Sequence, residues 1–313
     1  MTRYIIKRLL SIIPIVLGIS IIIFTLLSIS PGNPATLMIG REATDEQVAV
    51  LEAQLGLDQP LLTQYVNYMT DLLRGDFGTS WQTRGPVIDE IAVRFPVTLK
   101  LSVFSTLIVI FFGVTVGIIS AVKQYTKLDY VVTTSSLVIA SMPDFWIGLM
   151  LMLLFALKLR WVPPYGASDW TGYILPVIVL SLGIMAMVIR VTRGTMLEVI
   201  RQDYIRTARA KGADEKRVIF KHALKNALIP IITVIGNDFG SILAGAIVVE
   251  TVFSLPGMGT LIVNAVKIKN IPTAMTATLF LAILYSLVVL ILDIIYAYID
   301  PRIKAEFSRR KAR

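Results

Sequence analysis

Cysteine is absent from this 313-residue chain, and histidine occurs once, at His222. The first absence excludes disulfides, thiolate metal sites and cysteine nucleophiles; the second excludes a histidine-built metal centre. Charged side chains are scarce too, at 16%, against roughly 25% in a soluble domain. What replaces them is apolar: 55% of residues are hydrophobic and the mean hydropathy is +0.74. Such a composition belongs in a bilayer. The net charge of +9 would suit a nucleic-acid binder, but here the basic residues flank long apolar runs instead of lining one polar surface, so nucleic acid is excluded. No G-x-x-x-x-G-K-S/T loop is present to cradle nucleotide phosphates, and neither G-x-S-x-G nor H-E-x-x-H occurs. No catalytic residue and no metal ligand is therefore assigned. Met185, Met187 and Met196 read as packing.

Crossing the hydrocarbon core takes about 20 apolar residues in a helix. Six segments qualify: 9–29, 97–122, 130–157, 173–190, 226–249 and 274–299. The expected fold class is all-α, a polytopic membrane protein with six transmembrane helices. The first segment follows Arg3, Lys7 and Arg8, but its apolar core exceeds the ~7–15 residues of a signal h-region and no A-x-A-like site follows, so it reads as a retained span. Of the 30 Lys and Arg residues, 21 fall on the side of the two termini and 8 on the other, with Lys100 just inside the second span. Leaving out the long segment 31–96, as the positive-inside rule requires, makes this 21 against 4 and places both termini in the cytoplasm.

Residues 31–96, with nine acidic and four basic side chains, are expected to form a small helical extracytoplasmic insertion. Thr44 and Gln47 make a capping box, Asp45 and Glu46 fill the first turn, and Gly56 after Leu55 stops the helix. A second helix from Pro60 to Leu73 would bury Leu62, Tyr65, Met69 and Leu72. The glycines of GDFGTSW mark a turn, and a short third helix opening at Pro86 leads to Pro96 at the mouth of the second span. No repeat or linker divides the chain, so residues 1–313 read as one transmembrane domain.

Residues 190–225 form a basic cytoplasmic loop, and seven Lys and Arg residues fall between 204 and 230. Ile205, Ala208 and Gly212 stand at i, i+3 and i+7, a narrow small-residue stripe on a helix that Gly212 ends. Asp214 then caps a second helix, with Ile219, Ala223 and Ala227 in one row and Phe220, Leu224 and Leu228 in the next. Arg217, Lys221 and Lys225 make a basic row, and the helix re-enters the membrane at Pro230. Two readings stand. The loop is either a patch on anionic lipid, at about 1 kcal/mol per basic residue, or a dock for a cytosolic protein, whose close approach the small residues permit.

The stretches RTARAKG and HALKNALIP resemble the coupling loop of permease subunits in ATP-binding-cassette importers, more narrowly the dipeptide, oligopeptide and nickel permease family. The resemblance runs nearly the whole chain, through KRLLSIIPIVLGISIIIF, LGLDQPLLTQY, GDFGTSW, SMPDFWIG and GAIVVETVFSLPGMG. It implies a type I importer permease fold in a bacterial or archaeal cytoplasmic membrane, with no cofactor in this chain. Its implied partners, besides the lipid bilayer, are a second homologous permease, two cytosolic ATPase subunits that hold ATP and Mg, and an extracytoplasmic solute-binding protein. Short peptides are the implied cargo, with nickel or a metal chelate as the alternative. ATPase coupling would fall to Tyr204, Arg206, Ala208, Gly212, Ala213 and Asp214. Two departures matter. Arg206, Thr207 and Ala208 stand at the Glu-Ala-Ala positions, so a Glu-mediated contact is not carried over, and Asn270 in KNIP weakens an acidic role where many relatives carry Arg-Asp-x-Pro.

A charge at mid-span costs about 2.5–3.5 kcal/mol on insertion scales, so Asp144, Asp238 and Lys100 should face protein or water. Asp144 beside Pro143, and Asn237 with Asp238, are assigned to the translocation path, against a structural pairing with another span. Asp293, near the end of the last span, reads as a structural ion pair. Glu250, Phe253, Pro256 and Gly257 are expected at an outer gate or a binding-protein contact, the competing reading of Glu250 being a solvated helix end. A secondary transporter would share the spans but would not need so long a structured loop.

Overall fold

A computed structural model describes residues 2–40, 43–166, 169–244 and 246–299. Its elements are helices: α1 Thr2–Leu10, α2 Ile12–Ile29, α3 Pro34–Ile39, α4 Asp45–Leu55, α5 Leu61–Leu73, α6 Val87–Val122, α7 Lys127–Ala140, α8 Asp144–Lys158, α9 Trp170–Ile200, α10 Asp203–Ala210, α11 Glu215–Leu243, α12 Ile247–Val252, α13 Met258–Lys267 and α14 Ile271–Ile299. Among the described residues the one β pairing is a bridge between Thr79 and Pro86. The basic stretch 300–313, counted above toward the cytoplasmic side, lies outside the described residues.

Five helices are long and apolar enough to cross a membrane: Arg8–Ile29, α6, α9, α11 and Ile271–Tyr296. The third expected span is different, because α7 and α8 meet at a 102° bend. Pro143 is the cause, lacking an N–H and clashing with the turn before it; its carbonyl accepts from Trp146 N at 3.0 Å and Ile147 N at 3.1 Å to start α8 afresh. Three other boundaries depart from expectation for one reason: a continuing helix keeps its own backbone groups bonded. Thus α6 runs through Pro96 and absorbs the short helix expected before it. Likewise α9 continues to Ile200, carrying Arg190 and Arg193 on a helix instead of in a loop, and α11 fuses the second loop helix with the fifth span.

The chain forms two compact units, one of them Thr2–Thr98 with Pro256–Ser286. There Phe24 and Leu27 pack on Ala265, Ile271, Ala274 and Met275, while Val87 and Ile91 pack on Met258, Leu261, Ala277 and Leu281. The capping box of Thr44 and Gln47 forms, and Gly56 ends α4 at a left-handed φ of 67°. On α5 the inward side chains are Tyr65, Tyr68, Met69 and Leu72, whereas Leu62 is 74% exposed. Buried hydroxyls need partners, and the two tyrosines find them: Tyr65 shares a 2.8 Å hydrogen bond with Ser20, and Tyr68 one of 2.8 Å with Thr276. Burial pushes the Tyr68 phenol up to about 12. Lys269, buried and lowered from its ordinary value by that burial, donates to the carbonyls of Ser30 and of Gly32, the latter at 2.6 Å. Asn270 accepts from Trp81 N at 3.3 Å and donates to Ser80 Oγ at 3.0 Å. The KNIP sequence is thus a clasp for the polar insertion.

The second unit comprises Leu99–Leu255 and the described residues from Leu287 onward. Its central helix is α9, packed by the later part of α6, by α7, α8 and α11. A Cβ on Gly117 would lie 2.6 Å from Thr192 Cβ, so only glycine permits this approach of α6 to α9. Asp129, at the start of α7, is buried and receives Arg193 Nε at 2.6 Å and an Nη at 2.8 Å, with Ser120 Oγ at 2.5 Å and Tyr125 N at 3.0 Å. The carboxylate is fully engaged. Removing one partner of a buried pair costs about 3–5 kcal/mol; the Arg193 side chain keeps 25% exposure, which places the expected loss at the lower end. Asp129→Asn should therefore lower the thermal midpoint of the detergent-solubilised protein, and Asp129→Asn with Arg193→Met should recover most of the loss. Equal midpoints for wild type and Asp129→Asn would show that the pair contributes nothing.

Candidate coupling surface and translocation path

Helix α10 starts from extended Gln202 with Asp203 in its first turn. Ile205 is completely buried in a core with Met196, Val218, Ile219, Ala223, Ala227 and Ile231, and Ala208 and Ala213 pack against the same cluster. The expected docking stripe of Ile205 and Ala208 is thus turned inward, because the chain's own apolar helices are the nearest place to bury it. The opposite face carries Tyr204, 45% exposed, with Arg206, Thr207 and Lys211 beside it. Burial holds the Tyr204 phenol above its ordinary value, and Asn226 is its hydrogen-bond partner.

Gly212 ends the helix at φ 79°, with its N–H on Arg209 O at 2.9 Å and the Ala213 N–H on Ala208 O at 3.2 Å. A Cβ built there meets nothing within 4 Å, so glycine is required by the left-handed backbone and not by crowding. Asp214 sits extended at the head of α11 without a side-chain capping bond, contrary to expectation. Arg209 instead bridges the turn, meeting Glu215 at 2.6 and 3.1 Å. That pair keeps both carboxylate oxygens occupied and leaves Asp214 to water.

Beyond the turn, Val218–Ala223 is a π-helical segment. Ile219, Ala223 and Ala227 stay buried, while Phe220, expected in the next apolar row, is 60% exposed. Arg217, Lys221 and Lys225 are exposed as the spacing implied. The outward surface therefore combines two aromatics, Tyr204 and Phe220, with a basic field. Sequence reasoning missed Phe220 because its i+4 spacing to Leu224 and Leu228 reads as one apolar row.

Asp144 opens α8, exposed, with Oδ1 3.6 Å from where a Cβ on Gly183 would stand. On α11, Asn237 is exposed and Asp238 half-buried, and Asp238 Oδ2 is shielded from solvent with no hydrogen-bond partner. No hydrogen bond or ion pair joins Asp144 to Asn237 or Asp238 among the described residues. Glu250 and Phe253 are buried, the ring of Phe253 lying against Gly148, so a solvated helix end is ruled out for Glu250. Of the four expected outer residues only Pro256 is exposed; Gly257 is buried.

Comparison with known proteins accounts for this arrangement. Residues 113–305 match the family described as binding-protein-dependent transport system inner membrane component, and residues 1–102 its N-terminal membrane component. The glutathione transport system permease protein GsiC of Escherichia coli (strain K12) is 41% identical over 304 residues, covering 97% of this chain and 99% of that protein. The dipeptide transport system permease protein DppB of Alkalihalophilus pseudofirmus is 41% identical over 332 residues, covering 97% of this chain and all of that one. Among solved structures, the MetNI methionine ABC transporter in inward-facing conformations shares the fold at a TM-score of 0.59 and 18% identity, over 68% of this chain and 97% of that chain. The chain belongs to the multi-pass inner-membrane permease components of binding-protein-dependent ATP-binding-cassette importers, transport subunits without a catalytic centre or cofactor, whose ATP is handled by partner ATPases.

Proposed function

We propose that this chain is one of two permease subunits enclosing the path of an importer for short peptides, with both termini and α10 in the cytoplasm. The observation that carries the coupling role is the two-sided build of α10 and the start of α11: a buried seat at Ile205 and Ala208, and an outward display of Tyr204, Arg206 and Phe220. A push on the outer face has no slack to take up before it reaches Met196 on α9. Peptide cargo is supported by two relatives at 41% identity whose names specify glutathione, itself a tripeptide, and dipeptides. Vesicles holding the permease pair and its ATPases, supplied with the cognate binding protein, should accumulate a labelled di- or tripeptide only with ATP inside the compartment that α10 faces. ATP hydrolysis stimulated by the binding protein without accumulation of any peptide would overturn the cargo assignment.

Interface energy concentrates in aromatic anchors, so Phe220→Asp should reduce copurification of the ATPase subunits at least tenfold while leaving the thermal midpoint of the chain unchanged. Ala208→Leu should lower that midpoint by overpacking the seat, at about 1–3 kcal/mol. Gly212→Val should strain the left-handed turn by about 1–2 kcal/mol and uncouple hydrolysis from uptake. Full ATPase recovery with Phe220→Asp would move the dock elsewhere.

Asp238 is the residue we assign to the path, since an unpartnered carboxylate oxygen in an apolar helix calls for water or cargo. In this cysteine-free chain, Asp238→Cys should react with a water-soluble thiol reagent at a rate that changes when nucleotide traps the complex. A cysteine unreactive in every trapped state, beside a reactive control at Gln202→Cys, would return Asp238 to packing.

A further inference from the structure

Between the first turns of α6, the end of α13 and the start of α14 lies a cavity of about 270 Å3. Its charged lining is Glu90, Arg94 and Lys267, and its buried lining includes Asn270 and Thr273. Three of the polar groups are already committed. Glu90 accepts from Thr83 Oγ1 at 2.5 Å, and Asn270 holds Ser80 and Trp81 as described. Arg94, Lys267 and Thr273 are among those that are not. Arg94 stands four residues after Glu90, in reach of an ion pair it does not make, and neither Arg94 nor Lys267 has an acidic partner among the described residues.

Thr273 is the third. Its hydroxyl is buried and has no hydrogen-bond partner, although Thr278 and Ser286 on the same helix bond back to the carbonyls of Ala274 and Ala282. A buried hydroxyl left unpaired costs about 1–3 kcal/mol. Two uncommitted cations and this donor thus line one cavity. Against them stands the single charge of Glu90, so one monoanion brings the cavity to neutrality, which fits a carboxylate better than a doubly charged phosphate.

We propose that this cavity is a receptor for a single carboxylate, borne by an acidic side chain of the solute-binding protein or by the C terminus of a free peptide. The proposal rests on the orientation given above, which places the start of α6 outside the membrane. Arg94 and Lys267 supply charge-assisted hydrogen bonds and Thr273 donates from the buried side.

The test uses the complete importer in nanodiscs of zwitterionic lipid. Acetate, titrated against chloride at constant ionic strength, should stabilise it saturably, and Arg94→Gln or Lys267→Gln should each weaken this about tenfold. Thr273→Val should weaken it less, and Arg74→Gln, outside the cavity, not at all. Acetate binding depends on neither cargo nor orientation, so it stands or falls apart from the functional reading. Two further arms assign the source. If the binding protein bears the carboxylate, its affinity falls about tenfold in the same two variants; if cargo bears it, a dipeptide binds without the binding protein and its C-terminal amide does not. The proposal is overturned if acetate binding is absent or indifferent to both substitutions, or if the two variants change only the binding of anionic-lipid nanodiscs, which would mark a headgroup site. Thermal midpoints of the variants within the range of Arg74→Gln exclude misfolding as the cause.

Discussion

Ile205 and Met196 share one dry core, and what α10 can do follows from that contact. A short helix of eight residues is marginal alone in water. Its order comes from burying Ile205 with Val218 and Ile219, so α10 exists as a helix only while it is seated on α9 and α11. Motion of the seat and motion of the spans are then one event. The same core includes Ile118 and Ala121 from the end of α6, which Ser120 ties through Asp129 to Arg193 on α9. Interior packing is dense enough that such a group moves as a body.

The division of chemistry within the loop follows. Small and aliphatic side chains are spent on the seat, leaving aromatics and arginines for the outward face. This is the reverse of a dock made by a small-residue stripe, and it leaves both readings of the loop a surface: an exposed basic row suited to anionic headgroups, and Tyr204 and Phe220 displayed outward. The buried clasp at Lys269 and Asn270 works similarly, holding the polar insertion by main-chain and amide hydrogen bonds that need no acidic partner.

Much of this was legible beforehand because the signals were strong and local. Apolar runs gave the spans, Thr44 and Gln47 gave α4, and glycines gave the turns at Gly56 and Gly212. What escaped notice depends on contacts between distant residues. Nothing near Asp129 or Arg193 tells that they meet, and nothing in the spacing of Phe220 shows that it faces outward. Leu62 was placed inside on periodicity alone, yet burial on α5 went to the tyrosines whose hydroxyls find partners. Asp144, Asn237 and Asp238 are the least legible, since among the described residues no hydrogen bond or ion pair joins them to one another.

The 102° bend between α7 and α8 has a consequence for hydration. Every helix end leaves several carbonyls or N–H groups without intrahelical partners, and at Ser141–Pro143 a C-terminus and an N-terminus come together inside a hydrophobic stretch. α7, at 14 residues, spans about 21 Å at 1.5 Å per residue, short of the ~30 Å hydrocarbon thickness. Lipid tails cannot solvate those groups. Wherever that corner lies within the bilayer, it must be wetted from an aqueous vestibule or roofed by polypeptide, so the apolar third segment obliges the membrane to admit water or protein at the depth where Asp144 stands.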